Sequence, residues 1–196
     1  MNRVGVYQVV GRWILVAVAL FSSAMTYAYS YAAAGKEPVI DGREAILLAL
    51  EKQDFNAVQQ AVGDLKDEFA YLKKEHNVDL QTPMAAAVAN QDAAQVEAIM
   101  DRAVVEEIVR RLDGASKNLA DYQVAKVLVV KSKLFLDLIT PKLDDSHRQQ
   151  AEQAIQGTLQ AIGNPGVFGV GQAPADPEAF KQQQQLLIDA ISTLHP

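Results

Sequence analysis

The sequence predicts an all-α protein, an antiparallel helical bundle of five to seven helices that contains a duplicated helical hairpin. One observation is a repeat, because residues 45–62 recur in diluted form 38 positions later as residues 83–100. A second is the spacing of apolar residues by three and four along most of the chain, which is the helical period. The third is that no segment shows the apolar and polar alternation of a half-buried strand.

Each copy of the repeat indicates a short apolar helix, a Gln-Asp corner and a second helix. Gln53-Asp54 of the first copy and Gln91-Asp92 of the second fall in register. In both copies the aspartate can cap the second helix, because its carboxylate accepts hydrogen bonds from the first backbone N–H groups. Two copies are fewer than an open repeat array needs, so the duplication predicts one compact bundle.

The first 34 residues predict a secretory signal peptide. Arg3 and Arg12 come before an uncharged stretch, residues 13–34, that is apolar at first and rich in small residues towards its end. A charged start, a short apolar middle and small residues at the end are typical of an export signal. An N-terminal membrane anchor is the alternative, because residues 13–34 are long enough to cross a bilayer.

A single bundle domain, residues 41–196, is predicted to follow a linker of residues 35–40. Without the two N-terminal arginines, 16 basic and 24 acidic residues remain, and the net charge of −8 argues against nucleic acid as a partner. The chain has no cysteine, which excludes disulfides and thiolate metal sites. An exported protein without disulfides fits the bacterial periplasm.

The first two helices are predicted from a capping pair and an apolar face. Asp41 and Glu44 are spaced to cap a helix that ends near Lys52. From Asp54 onwards, apolar residues spaced by three and four predict one continuous helix that ends near Asn77.

The third and fourth helices form the second copy of the hairpin. Thr82-Pro83 supplies a cap followed by proline at the first helical position. The alanines of the third helix predict close approach to its neighbours and a central place: Ala85, Ala86, Ala87 and Ala89. The fourth helix is expected to end at Gly114. Its Glu107 and Arg111, an i,i+4 pair, are expected on a solvated face.

The remaining helices lie between clear breaks. Residues 116–140 are the most apolar stretch outside the signal and predict a long central helix that ends at Pro141. Ser146 and Gln149 form a capping box for the next helix, which Gly163 ends. The predicted core takes one apolar face from each helix: Leu48, Phe55, Val58, Phe69, Val96, Ile99, Val104, Ile108, Leu128, Phe135, Ile155 and Ile191.

Residues 163–177 are predicted to be a long loop, and Asp176-Pro177 then begins the last helix. The loop contains four glycines and three prolines, but Val167 and Phe168 stand between the glycines. A solvated tether gains nothing from phenylalanine, so the two apolar residues predict an element that docks against the helices or a partner. A mobile tether is the alternative, because four glycines favour mobility.

A candidate ligand-binding site lies at the start of the predicted central helix. Tyr122 and Lys126 are i,i+4 neighbours, and Asp121 is beside them. Polar groups in such an apolar segment either line a pocket inside the bundle or extend to its surface.

A candidate metal site is the corner formed by Asp144, Asp145 and His147. Carboxylate and imidazole groups are suitable ligands for divalent cations. The alternative is helix capping, because aspartate and serine before a helix are ordinary capping residues.

A family resemblance rests on an ordered set of short motifs. The motifs are Gln53-Asp54, Gln91-Asp92, Tyr122 with Ala125-Lys126, and the run of Ile, Gly, Asn, Pro and Gly at 162–166. In this order, across most of residues 41–194, the chain resembles exported helical bundle domains associated with bacterial high-affinity iron permeases. The permease's own Arg-Glu-x-x-Glu motif is absent, because Leu47 stands where the second glutamate would follow Arg43-Glu44. The resemblance implies an accessory role near metal uptake and transfers no ligand residues.

Two functions are predicted from these features, and neither is enzymatic, because no catalytic motif is present. The first is a periplasmic accessory protein that binds a metal ion or small ligand and is linked to metal uptake. The alternative is a non-catalytic scaffold or protein-interaction module of the envelope. The expected partner is a membrane transporter or another envelope protein, with membrane contact only through an uncleaved N-terminal segment. The sequence does not identify a cofactor.

Overall fold

The computed structural model describes residue 35, residues 37–166 and residues 171–194. Within these residues the chain forms eight α-helices and two short 3₁₀ helices, so the all-α prediction is confirmed. The α-helices are α1 Pro38–Glu51, α2 Phe55–Asp64, α3 Lys66–His76, α4 Gln81–Ala89, α5 Ala93–Lys117, α6 Tyr122–Ile139, α7 Asp145–Ala161 and α8 Pro177–Ile191. The 3₁₀ helices are Thr140–Lys142 and Ser192–Leu194.

The predicted signal peptide or anchor, residues 1–34, lies outside the described residues. None of the helices in the described ranges is long and apolar enough to cross a membrane.

The two Gln-Asp corners of the repeat have the same backbone geometry. Gln53 and Gln91 both have a left-handed φ of 54°. The N–H of Asp54 donates to the carbonyl five residues earlier at 3.0 Å, and that of Asp92 does the same at 2.9 Å. Each aspartate carboxylate also accepts a hydrogen bond, 3.0 Å long, from the N–H three residues further on. Each corner is thus a Schellman motif that ends one helix and caps the next.

The duplicated hairpins, α1–α2 and α4–α5, form a ring of four helices. Besides the contacts within each hairpin, α1 packs on α5 and α2 packs on α4. The first helix of each copy therefore contacts the second helix of the other, which is the pattern of a two-fold axis. The helix bounds agree with this relation, because α1 and α4 end 38 positions apart and α2 and α5 begin 38 positions apart. The repeat is thus an internal pseudo-dimer.

The central helix is α5, and the prediction that residues 116–140 form the centre is wrong. α5 has 25 residues and packs on α1, α4, α6 and α8. α6 packs on one side of α5. On the outer face of α6, Val127, Val130 and Leu134 are 42 to 49% exposed. The predicted end of α5 at Gly114 is also wrong. A Cβ there would lie 3.2 Å from Cδ1 of Leu128, so the glycine lets α6 approach.

One predicted helix is divided, which raises the number of α-helices to one more than the upper limit predicted. The stretch from Asp54 to Asn77 breaks at Leu65, which lies between α2 and α3. Leu65 is buried against Gly42 of α1, where a Cβ would lie 2.7 Å from its Cδ2. The helix thus breaks at the residue whose side chain fills the space beside Gly42.

Three helix starts differ from the predicted caps. α1 already begins at Pro38, inside the predicted linker, so Asp41 lies in its first turn. Near the start of α4, Asp79 accepts hydrogen bonds from the N–H and hydroxyl of Thr82, which is therefore not the cap itself. α7 has Asp144 as its N-cap instead of Ser146.

Both predicted ends of the loop between α7 and α8 are confirmed. Gly163 has a φ of 80° and follows the end of α7, and a Cβ there would lie 2.6 Å from the carbonyl oxygen of Ala173. Asn164 and Ala173 form an antiparallel bridge that narrows the loop. Asp176 caps α8 through the N–H of Ala179 at 3.0 Å.

The predicted core is largely confirmed. Nine of the twelve predicted residues are buried, and Phe55 and Leu128 are half-buried against the core. Leu48 is wrong, with 47% of its surface exposed. Ile46 and Ala49 occupy the inward face of α1, and a residue two positions from Ile46 lies on the opposite side of the helix.

Candidate ligand-binding groove

A groove of about 550 Å³ lies between α2 and α4, with a contribution from α3. Volumes of roughly 300 to 1,000 Å³ are typical of sites for small organic ligands. Its apolar lining consists of Phe55, Val62, Gly63, Phe69, Ala85, Val88 and Ala89. Its polar lining consists of Asn56, Gln59, Lys66, Gln81 and Gln91.

Four carboxamides provide most of the polar lining of the groove. They are exposed, and they make no side-chain hydrogen bond to any described residue. Each carboxamide offers donors and an acceptor and does not titrate, so the four can bind amide or hydroxyl groups at any pH. Lys66 adds the only charge of the lining, and it forms no ion pair with the described part of the chain.

Small side chains leave the space between the two walls of the groove unfilled. Ala85 and Ala89 of α4 are exposed and line the groove, as does Gly63 of α2. The predicted close approach of the α4 alanines holds only for Ala87, which is buried. Larger side chains at Ala85, Ala89 and Gly63 would fill this space. The groove therefore exists because these three residues are small.

Gly63 is expected to make the folded protein less stable than alanine would at the same position. A Cβ at Gly63 would have no atom within 4 Å, and the residue lies in α2 with a helical backbone. Gly63→Ala should raise the free energy of unfolding by about 0.5 to 1 kcal/mol, because alanine loses less backbone entropy on folding. Urea unfolding followed by circular dichroism measures the change. A loss of stability would show that the position is more crowded than the structure indicates.

The opposite contact of the ring, between α1 and α5, is closed by a buried ion pair. Nη2 of Arg43 donates to Oδ1 of Asp101 at 2.8 Å, and both residues are more than nine-tenths buried. The Nζ of Lys142 binds Oδ2 of Asp101 and, at 2.5 Å, Oε1 of Glu97. Partial burial alone would lower the pKa of Lys142, but the hydrogen bonds to the two carboxylates raise it above its usual range.

A second ionic cluster lies on α5, where a solvated face was expected. Glu107 and Arg111 are buried, and the guanidinium of Arg111 lies 4.1 Å from the ring centroid of Phe135. Arg110 donates two hydrogen bonds to Glu107, at 3.0 and 2.8 Å. The prediction failed because α6 covers this side of α5. Asp101 and Glu107 recur at the three- and four-residue spacing of the buried apolar residues of α5. This spacing was the signal that could have indicated both ionic clusters.

The predicted pocket residues lie at the start of α6, away from the groove. Asp121 is the N-cap and accepts hydrogen bonds from Gln123 and Val124 N–H groups at 3.1 Å. Lys126 is exposed, and its Nζ lies 5.5 Å from the ring centroid of the half-buried Tyr122. The three residues line the outside of the bundle, and the groove has none of them in its lining.

The predicted metal corner acts as a helix cap. Oδ1 of Asp144 accepts hydrogen bonds from two N–H groups of α7, and its Oδ2 lies 2.6 Å from Nδ1 of His147. Hydrogen bonds from the His147 backbone and ring hold the pKa of Asp144 below its usual value. Asp145 points to Arg148, 3.2 Å away. In the described ranges, no three acidic or histidine side chains form a group that could hold a metal ion.

The predicted docking pair, Val167 and Phe168, lies outside the described residues. The loop is described only up to Gly166 and again from Gly171.

Comparisons with known proteins give no relative. No protein family matches the chain, and neither curated proteins nor solved structures show a significant similarity to it.

Proposed function

We propose that this domain is a non-catalytic binding protein whose ligand lies in the groove between α2 and α4. The single observation that supports this function is the groove itself, because its volume suits an organic ligand and four residues with carboxamide side chains line it. Apolar groups in the same lining supply the favourable burial, and the carboxamides supply orientation.

The chemistry of the lining favours recognition over reaction. Carboxamides form hydrogen bonds without exchanging protons, and apart from Lys66 the other residues of the lining are apolar. The ligand therefore combines apolar surface with amide or hydroxyl groups. Export to the periplasm and an accessory role in metal uptake stay predictions from the sequence.

Ala85→Trp is expected to block the groove and to weaken ligand binding at least tenfold. Ala85 is exposed in the lining, so an indole there occupies the ligand's volume with little effect on the fold. The probe is a set of fluorinated organic fragments, screened by ¹⁹F NMR and mapped by amide chemical shifts on residues 55–66 and 81–91.

Ala86→Trp is the matched control. Ala86 is exposed on the same helix and does not line the groove. Fragment binding should survive this change. Equal losses in the two variants, or fragments that bind the parent protein only elsewhere, would contradict the proposal.

A further inference from the structure

We infer that the groove receives a short polypeptide segment of a partner protein, with an acidic side chain placed near Lys66. The inference rests on the proposed function and specifies its ligand. It follows from the internal two-fold relation, because the groove and the closed α1–α5 contact occupy equivalent places in the pseudo-dimer.

Residues of the closed contact have counterparts in the groove, 38 positions away. Arg43 of α1 corresponds to Gln81 of α4, and Asp101 of α5 corresponds to Gly63 of α2. Arg43 and Asp101 form the buried ion pair, whereas Gln81 and Gly63 both line the groove. The groove is therefore the position where the second copy of this interface lacks the ion pair.

The closed contact also has an occupant, which the chain itself supplies. Lys142 comes from the 3₁₀ helix outside the repeat and binds Asp101 and Glu97. Ile139 and Leu143, on either side of it, are buried. In the groove, Gln59 corresponds to Glu97 and has no such partner. A lysine from outside the repeat thus binds at one half of the pseudo-dimer, and no described residue binds in this way at the equivalent half.

Charge decides what the open half can take. In the closed half, Arg43, Asp101 and Glu97 sum to one negative charge, and a lysine binds there. The groove lining has one charge, and it is positive. Opposite charges attract, so the equivalent segment carries a glutamate or aspartate. The carboxamides beside it can bind the segment's backbone N–H and C=O groups.

Two capped hexapeptides test the inference. One has the sequence of residues 138–143, LITPKL, and the other carries the change K142E. Isothermal titration calorimetry of the intact domain should show binding of the glutamate peptide, at least threefold tighter than the lysine peptide. Lys66→Gln should remove this preference, and Ala85→Trp should weaken both peptides.

A change of specificity gives the sharper result. The double variant Gln59→Glu, Gly63→Asp gives the groove the two acids of the closed half, and it should bind the lysine peptide more tightly than the glutamate peptide. Circular dichroism verifies that the variant is folded, and Lys66→Gln gives a separate answer if it is not. Equal affinities, or no peptide binding by a protein that still binds fragments in the groove, would overturn the inference and leave the proposed function standing. If neither the peptides nor the fragments bind in the groove, both the inference and the proposed function are overturned.

Discussion

Asp101→Ala is expected to lower the free energy of unfolding by about 3 to 5 kcal/mol, because it leaves the buried Arg43 without its counterion. Arg43 is only 9% exposed and Asp101 only 6%, so water replaces little of the lost interaction. Lys142 loses one of its two carboxylate partners in the same variant. For a domain of this size, a loss of 3 kcal/mol corresponds to a fall in Tm of about 10 °C.

The control for this variant is Glu97→Ala. Glu97 binds the same lysine, but its side chain is 44% exposed. Exposed ion pairs contribute about 1 kcal/mol or less, so the two unfolding curves should differ clearly in their midpoints. Similar losses in both variants would mean that burial of Asp101 does not determine the strength of the network.

Glu107→Gln is expected to destabilise the domain by about 2 kcal/mol at neutral pH, because it leaves the buried Arg111 with a neutral partner. Burial alone would raise the pKa of Glu107, but the hydrogen bond from Arg110 and the charges of both arginines lower it below its usual 4.5. A carboxylate whose pKa is lower in the folded protein stabilises that state above the unfolded pKa. This stabilisation is lost as the pH falls through the folded pKa.

The difference in stability between the parent and Glu107→Gln should therefore be full above about pH 4.5 and should narrow below it. Urea unfolding at a series of pH values between neutrality and pH 3 measures this convergence. Glu152→Gln, at an exposed position of α7, provides the control and should follow the parent throughout. A constant difference between parent and Glu107→Gln across this range would exclude the glutamate as the titrating group.

Local rules explain why much of the fold was predictable. The Asp54 and Asp92 corners depend on neighbouring residues alone, so the register of the repeat was enough to place them. Gly163 and Asp176 likewise act on their own turns. These positions agree with prediction because the energies that fix them are short-range.

Predictions failed where distant packing decides the outcome. Leu65, where the helix breaks, packs against the distant Gly42, and the buried Asp101 pairs with an arginine 58 positions away. The groove was not predictable for the same reason. Ala85 fits a close helix contact as well as an open wall, and only the position of α2 distinguishes the two.

The shared aspartates of the two corners have a mechanical consequence. At each corner, the backbone N–H of one residue fastens the end of the preceding helix, and its carboxylate fastens the start of the following helix. Fraying of either helix therefore removes a support of the other, so each hairpin opens as one cooperative unit. The repeat therefore contains the same joint twice, and at each joint one aspartate supports the ends of two helices.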